Sequence, residues 1–286
     1  MKFPYSLYTG IYQRPDQQIF YRVYRHSENQ SGRRLVLLHG AGVAGEDTWQ
    51  ALLAQLGLWS EVLVPDLRGM GKTVSPDGEE YAYTAHEVVA DVAGLLTHLN
   101  WQHFDLAGYS MGGLISMLYK QEYSQHVDKQ YLLESAAVDR GDWQASLELR
   151  AEYMQAAKHL SSDTEKGVKQ FLDAISPNRR VSPVVERLTV ERLAQRPRGF
   201  ANALKCVTDA LHDIDREALV AAQGDVSSFI GGNSVDAMHQ YQRALAERLP
   251  NWHYFMVTGT DHSLPFQKPR QIAQIMQAEL GRYLAV

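Results

Sequence analysis

Gly108-Tyr109-Ser110-Met111-Gly112 stands between an apolar strand pattern, Phe104 and Leu106, and a helix-compatible run, Leu114–Tyr119. G-x-S-x-G at a strand-to-helix junction is the signature of a nucleophile elbow, a turn so tight that the central side chain is pushed out into a pocket. Residues two before and two after the serine must be small, because the backbone crosses close to them. Strain of this kind collects at functional positions. Ser110 is therefore the first candidate nucleophile, and the rest of the chain has to supply its context.

The chain has 286 residues, 45% hydrophobic and 21% charged, with a formal net charge of −5. These proportions predict a soluble globular protein with a sizeable core, built as one large α/β domain or two smaller ones. A net acidic chain with no clustered basic patch argues against nucleic acid as a partner. The first eight residues carry no apolar signal-peptide core, and no apolar run reaches the length of a membrane span. One cysteine, Cys206, has no internal disulfide partner. Together these predict a cytoplasmic protein, with Cys206 an ordinary buried residue. A homodimer is compatible with the sequence, which sets no oligomeric state.

Tyr8–Arg14 and Gln18–His26 flank Pro15-Asp16-Gln17 and read as an antiparallel hairpin. From Arg34 onward, short apolar runs alternate with amphipathic stretches. Leu35–Leu38, Val62–Val64, Phe104–Ala107 and Tyr131–Leu133 read as buried strands; Thr48–Leu56, Thr84–Leu99 and Leu114–Tyr123 read as helices between them. Such alternation predicts a parallel sheet covered on both faces. The alternation stops near residue 138. Residues 139–215 hold only helical patterns, broken at Ser161-Ser162-Asp163, Pro177, Pro183 and Pro197-Arg198-Gly199. Strands Val226–Ile230 and Tyr254–Val257 then return, followed by helices Asp236–Arg248 and Gln271–Leu284. The expected organisation is an α/β core, 1–138 with 216–286, interrupted by a helical insertion over 139–215.

A serine hydroxyl needs a base within hydrogen-bond reach and a third group to orient that base. Most of the eleven histidines lie on polar helix faces or in loops. His262 follows the last strand, in Val257-Thr258-Gly259-Thr260-Asp261-His262-Ser263, at the carboxyl end of the sheet where ligands collect in open α/β folds. It is the candidate base. Acyl transfer also needs two N–H donors for the developing oxyanion. The Met111 amide supplies one, and Ala41, in the loop His39-Gly40-Ala41-Gly42 after an early strand, is the candidate for the other. His39 then reads as a structural hydrogen-bonding residue rather than a base.

Leu37-Leu38-His39-Gly40, Pro65-Asp66-Leu67-Arg68-Gly69-Met70-Gly71, Gly108–Gly113 and the late His262 together resemble the α/β-hydrolase superfamily, in the right order over nearly the whole chain. The resemblance implies an eight-stranded, mostly parallel sheet with helices on both faces and a helical cap over the pocket, corresponding to 139–215. The acid departs from the commonest pattern. Where the strand before the last usually ends in Gly-x-x-Asp, this chain reads Gly231-Gly232-Asn233-Ser234. Asp236 lies two residues later. Glu134, directly after the buried strand Tyr131–Leu133, is the preferred acid, a placement that resembles some haloalkane dehalogenases; Asp236 is the alternative, and Asp261 a third. A carboxylate at the end of a buried strand needs a partner, and an imidazolium would serve. Dehalogenases and epoxide hydrolases use aspartate where Ser110 stands, so neither activity is expected.

Gly40-Ala41-Gly42-Val43-Ala44-Gly45 after a strand, with Asp66 beyond, also fits a dinucleotide fingerprint. It is set aside because the helical pattern begins only at Asp47 or Thr48, and because a nicotinamide enzyme leaves the elbow and the late histidine loop unexplained. Gly71-Lys72-Thr73 lacks the upstream glycine of a P-loop. Asp66 and Arg68 read as braces of the loop beside the oxyanion donors. No metal-ligand spacing is present, and neither metal nor cofactor is expected. The expected chemistry is serine hydrolysis of a small to medium carboxylic ester, a small-molecule substrate, with Trp143, Tyr153, Met154, Phe171 and Leu172 as candidate pocket residues. Thioesterase, carbon–carbon bond hydrolase and perhydrolase are alternatives on the same fold, and a non-catalytic ligand receptor is the alternative of another class.

Overall fold

The computed structural model describes residues 3–285; Met1, Lys2 and Val286, at the outer ends of the expected core segments, lie outside the described residues. The chain opens with a hairpin, β1 (Tyr5–Gln13) and β2 (Gln18–His26), in register from Tyr5 opposite His26 to Gln13 opposite Gln18. Then follow β3 (Arg34–Leu38), α1 (Gly45–Leu53), β4 (Glu61–Pro65), α2 (Ala85–His98), β5 (Phe104–Tyr109), α3 (Met111–Glu122) and β6 (Val127–Leu133). Four helices come next without a strand: α4 (Trp143–Ser162), α5 (Thr164–Ile175), α6 (Pro183–Leu193) and α7 (Pro197–Asp213). The chain closes with α8 (Arg216–Ala221), β7 (Asp225–Gly231), α9 (Asp236–Arg248), β8 (Trp252–Val257), α10 (Leu264–Gln267) and α11 (Pro269–Leu284).

The eight strands form one sheet in the order β1-β2-β4-β3-β5-β6-β7-β8. β2 runs against both of its neighbours, and every pairing from β4 to β8 is parallel. This is the α/β-hydrolase fold that the motifs led us to expect. Burial on both faces explains the unbroken apolar runs: Leu35–Leu38 and Val62–Val64 are completely buried. On one face, Val88, Val92 and Leu95 of α2 pack with Leu114 and Leu118 of α3; on the other, Trp49 and Leu52 of α1 pack with Met276 and Leu280 of α11. The helices are stopped and started by local chemistry. Thr84 and Glu87 form a reciprocal capping box at α2, and Ser182 caps α6 with Pro183 in its first turn.

Helices α4 to α7 pack around a cluster of their own, including Tyr153, Leu160, Phe171, Phe200 and Leu204, with Val43 from the loop after β3. Two of the contacts that tie this insertion to the core meet the loop after β4. Arg196 donates to the carbonyls of Gly71 at 3.0 Å and Thr73 at 2.8 Å, and also binds Glu80 at 2.6 Å. Gly199 lies so close to the Pro65–Gly71 loop that a Cβ there would sit 1.9 Å from the Gly69 carbonyl oxygen.

The boundaries differ from the sequence reading in informative ways. α1 begins at Gly45 rather than near Thr48, because its N-cap is Ala44, which offers no side-chain cap to read. The third glycine of the Gly40–Gly45 run therefore does open a helix, which corrects one of the two grounds for setting the dinucleotide fingerprint aside. That N-terminus is nonetheless occupied: the Gly45 N–H donates to the buried Asp66 carboxylate at 2.9 Å, the position a pyrophosphate would need.

Candidate active site

Between β5 and α3 the backbone reverses at Ser110, held at φ 53°, ψ −113°. Its carbonyl accepts the N–H groups of Gly113 (3.0 Å), Leu114 (3.2 Å) and Ala136 (3.1 Å), and its own N–H donates to Leu133 at 3.0 Å. These bonds hold a conformation that costs a non-glycine residue about 1–3 kcal/mol. The flanking glycines are steric necessities. A Cβ at Gly108 would lie 2.2 Å from the Gly112 carbonyl oxygen, and one at Gly112 would lie 2.2 Å from that of Leu38. Ser110 itself is half-buried, its side chain bordering a cavity.

His262 borders the same cavity, in the loop between β8 and α10. Its Nδ1 lies 2.7 Å from Glu134 Oε2, at the carboxyl end of β6. A carboxylate only accepts, so this bond puts the proton on Nδ1 and leaves the Nε2 lone pair free. The other Glu134 oxygen accepts from the Gly231 N–H at 2.8 Å and the Ser234 hydroxyl at 2.5 Å. The buried carboxylate thus has three partners. Ser234, which stands where the commonest pattern puts its acid, here donates a hydrogen bond to Glu134 at the end of the neighbouring strand. Glu134 also has positive φ, 43°, so with Asn100 it and Ser110 are the only such non-glycine residues among the described residues. Asp236 is exposed at the first position of α9, without a hydrogen bond to His262. Asp261 faces elsewhere, accepting from the Ser263 N–H at 2.8 Å and Gln267 Nε2 at 3.1 Å.

The loop after β3 lies against the elbow. A Cβ on Gly40 would sit 3.3 Å from Ser110 Cβ, and Ala41 lines the cavity. Among the described residues neither the Ala41 nor the Met111 N–H donates to a backbone oxygen; Met111 is in the first turn of α3, where such amides are unpaired by construction. His39 braces this loop: it accepts the Leu67 N–H at Nε2 (2.8 Å), so its Nδ1–H donates to the Gly40 carbonyl (2.8 Å). Complete burial holds its pKa below the ordinary histidine value despite the nearby Asp66. Asp66 receives Gly45, Lys72 and Arg22, and Arg68 forks onto Asp91, so both act within the loop framework and not on the cavity. Cys206 in α7 is buried and its thiol is pushed up to about 12 by that burial.

The cavity has a volume of about 220 Å³. Of the sequence-derived pocket candidates, Phe171 and Leu172 line it. Tyr153 borders a second, smaller space beside Ser110. Trp143 and Met154 border neither: Trp143 packs on the sheet-side core with Arg216 stacked 4.6 Å from its ring, and Met154, half-buried, packs against the core of the insertion. Both are half-buried beside the face of α4 that Arg150, Tyr153 and Ala157 bury, a distinction that hydrophobicity alone does not reveal. Sequence reading missed the apolar side of α6, Val185, Leu188 and Leu193, together with Tyr109 and Phe266. Val184, Val185 and Leu188 are large apolar side chains left about half exposed, a property that shows only in the structure. Among the described residues no cluster of three or more histidine, cysteine, aspartate or glutamate side chains is placed to hold a metal ion, and no helix is long and apolar enough to cross a membrane.

Over 110 residues the chain is 31% identical to a 2-hydroxy-6-oxo-2,4-heptadienoate hydrolase of Pseudomonas putida, covering 38% of this chain and 39% of that protein. Over 130 residues it is 31% identical to Lipase 1 of Psychrobacter immobilis, covering 44% of this chain and 37% of that one. These matches therefore span less than half the length of either curated relative. A carboxylesterase structure from the Thaumarchaeon Nitrososphaera gargenis shares the fold at 20% identity, with a TM-score of 0.73 over 97% of this chain and 99% of that one. The family model described as the alpha/beta hydrolase family matches residues 35–275, from β3 into the first half of α11, and the chain belongs to that family.

Proposed function

We propose that the protein is a serine hydrolase that cleaves small to medium carboxylic esters through an acyl-enzyme. Ser110 attacks the ester carbonyl while His262 Nε2 takes its proton. Glu134 holds the imidazole in the Nδ1–H tautomer and stabilises the imidazolium that forms. The Ala41 and Met111 amides receive the oxyanion. His262 then protonates the leaving alkoxide, and later activates the water that releases the acid. The observation that carries this reading is the 2.7 Å bond between His262 and Glu134 beside the strained Ser110. A cavity of about 220 Å³, walled largely by aliphatic and aromatic side chains, favours short chains, since drug-sized ligands occupy ~300–1,000 Å³. Helices over 139–215 act in this reading as a cap that supplies the cavity's outer wall. A cytoplasmic setting belongs to the same proposal.

The test is hydrolysis of p-nitrophenyl acetate and butyrate by wild type and Ser110→Ala. Turnover by the first and its abolition in the second is expected. Equal inertness of both, with retained ligand binding, would favour a receptor. The resemblance to a protein named as a heptadienoate hydrolase supports one further reading, carbon–carbon bond cleavage by the same serine; a vinylogous diketone turned over faster than any ester would favour it.

A further inference from the structure

Ser110 and His262 border two spaces. Besides the apolar cavity there is a small one of about 30 Å³, whose wall also includes Glu134, Asp139, Arg140 and Arg150. Arg150, on α4, is only 6% exposed. It donates through one terminal nitrogen to the Ala136 carbonyl at 3.2 Å and lies 4.9 Å from the Tyr153 ring centroid. Its Nε is buried with no hydrogen-bond partner. Among the described residues no carboxylate lies within ion-pair distance of it. Both acids bordering the space are engaged elsewhere. Asp139 is 3.3 Å from Arg140 and accepts the Ser146 hydroxyl at 2.9 Å; Glu134 is taken up by His262, Gly231 and Ser234. A buried guanidinium with no counter-ion is expensive, and the missing partner has to be supplied from somewhere.

We propose that this small space is an anion subsite, and that the substrate is an ester carrying a carboxylate a few atoms from its scissile carbonyl. This rests on the serine hydrolase reading and narrows it. A space of about 30 Å³ has room for about two waters, so it admits a compact head group and not a chain. A carboxylate matches the planar donor fork of arginine. Because Ser110 borders the same space, an anion seated there fixes the ester carbonyl over the nucleophile, while the remainder of the substrate extends toward Phe171 and Leu193 in the apolar cavity. Arg192, the cation on the wall of that larger cavity, is half-exposed and can be reached by water.

The test compares isosteric esters that differ only in charge, followed by pH-stat. Monobutyl succinate is set against butyl 4-methylpentanoate, and carboxymethyl butyrate against isobutyl butyrate, so that the anion is tried in either half. In at least one pair, wild type should prefer the anionic ester. Arg150→Met should lower the ratio of anionic to neutral kcat/KM by about 10- to 100-fold, and Arg150→Lys by less. Independently of turnover, succinate should bind Ser110→Ala more tightly than succinamide, and lose that advantage when Arg150→Met is added. If esters are cleaved with no charge preference, or if Arg150→Met lowers both members of a pair equally, the subsite is refuted while the hydrolase stands; the guanidinium then only ties α4 to Ala136. If succinate binding depends on Arg150 but no ester is cleaved, the reaction fails and the subsite stands. Should Arg150→Met not fold, Arg150→Lys and the succinate-to-succinamide ratio decide.

Discussion

Glu134→Gln is nearly isosteric, yet the hydrogen bonds around it dictate what the amide must do. Gly231 N–H donates to Oε1 at 2.8 Å and can never accept. The amide oxygen is therefore drawn to Gly231 and Ser234, and the NH₂ is turned toward His262 Nδ1, 2.7 Å away in the wild type. An NH₂ there requires an acceptor, so Nδ1 loses its proton and Nε2 carries it. The imidazole is then in the wrong tautomer to take a proton from Ser110, and the imidazolium has lost its counter-charge. An aspartate made amide in a serine-protease triad loses about ten-thousandfold in kcat by this route. A fall of about a thousand- to ten-thousandfold is expected here, about 4 to 5.5 kcal/mol of transition-state stabilisation at ~1.36 kcal/mol per decade. The measurement is kcat for p-nitrophenyl butyrate, alongside Asp236→Asn, which should stay within about twofold because Asp236 is exposed and away from His262. A Glu134→Gln protein that folds and keeps kcat within a few-fold, or a large loss in Asp236→Asn alone, would refute the reasoning.

Gly112→Ala should destabilise the fold by about 3 kcal/mol or prevent folding, since the added Cβ would meet two backbone oxygens, Leu38 at 2.2 Å and His39 at 2.6 Å. Gly281→Ala, in an exposed turn of α11 with nothing within 4 Å, should instead raise stability by about 0.5–1 kcal/mol. Urea denaturation reads both, and equal effects would contradict the packing described. His39 is held neutral, with its folded pKa below that of the unfolded chain. Folding therefore excludes a proton that the unfolded state binds, and stability should decline as pH falls below about 6.5, by up to ~1.4 kcal/mol per unit until the folded pKa is reached. The difference between wild type and His39→Gln in the urea midpoint should shrink over that window. Parallel curves would show that His39 is not the group responsible.

The tight turn at Ser110, the loop that carries His262 and the carboxylate of Glu134 were legible because each is announced locally. A glycine pair frames Ser110, a turn-rich loop follows the last strand at His262, and a lone carboxylate ends the apolar run at Glu134. Which carboxylate meets His262 needed the third dimension, since it depends on which strand end faces the imidazole. Elsewhere polar residues disguised the pattern. β6 begins at Val127, not near Tyr131, because Lys129 is completely buried against Asp225 and breaks the apolar run that marks a strand. The short helices α8 and α10 span too few residues for a period to show. The cavity wall was least legible. α6 shares a cavity with the serine only through packing of the four-helix insertion, so spacing could name apolar faces but not say which lined it.

The central claim is that the Ser110 hydroxyl is activated by His262. Diisopropyl fluorophosphate reacts with activated serines and not with ordinary ones, so peptide mass mapping of the treated protein tests it most directly. One adduct, on Ser110, forming in wild type and slowed about a hundredfold or more in His262→Ala, is the expected result. An adduct on another residue, or a Ser110 labelling rate indifferent to His262, would contradict the account.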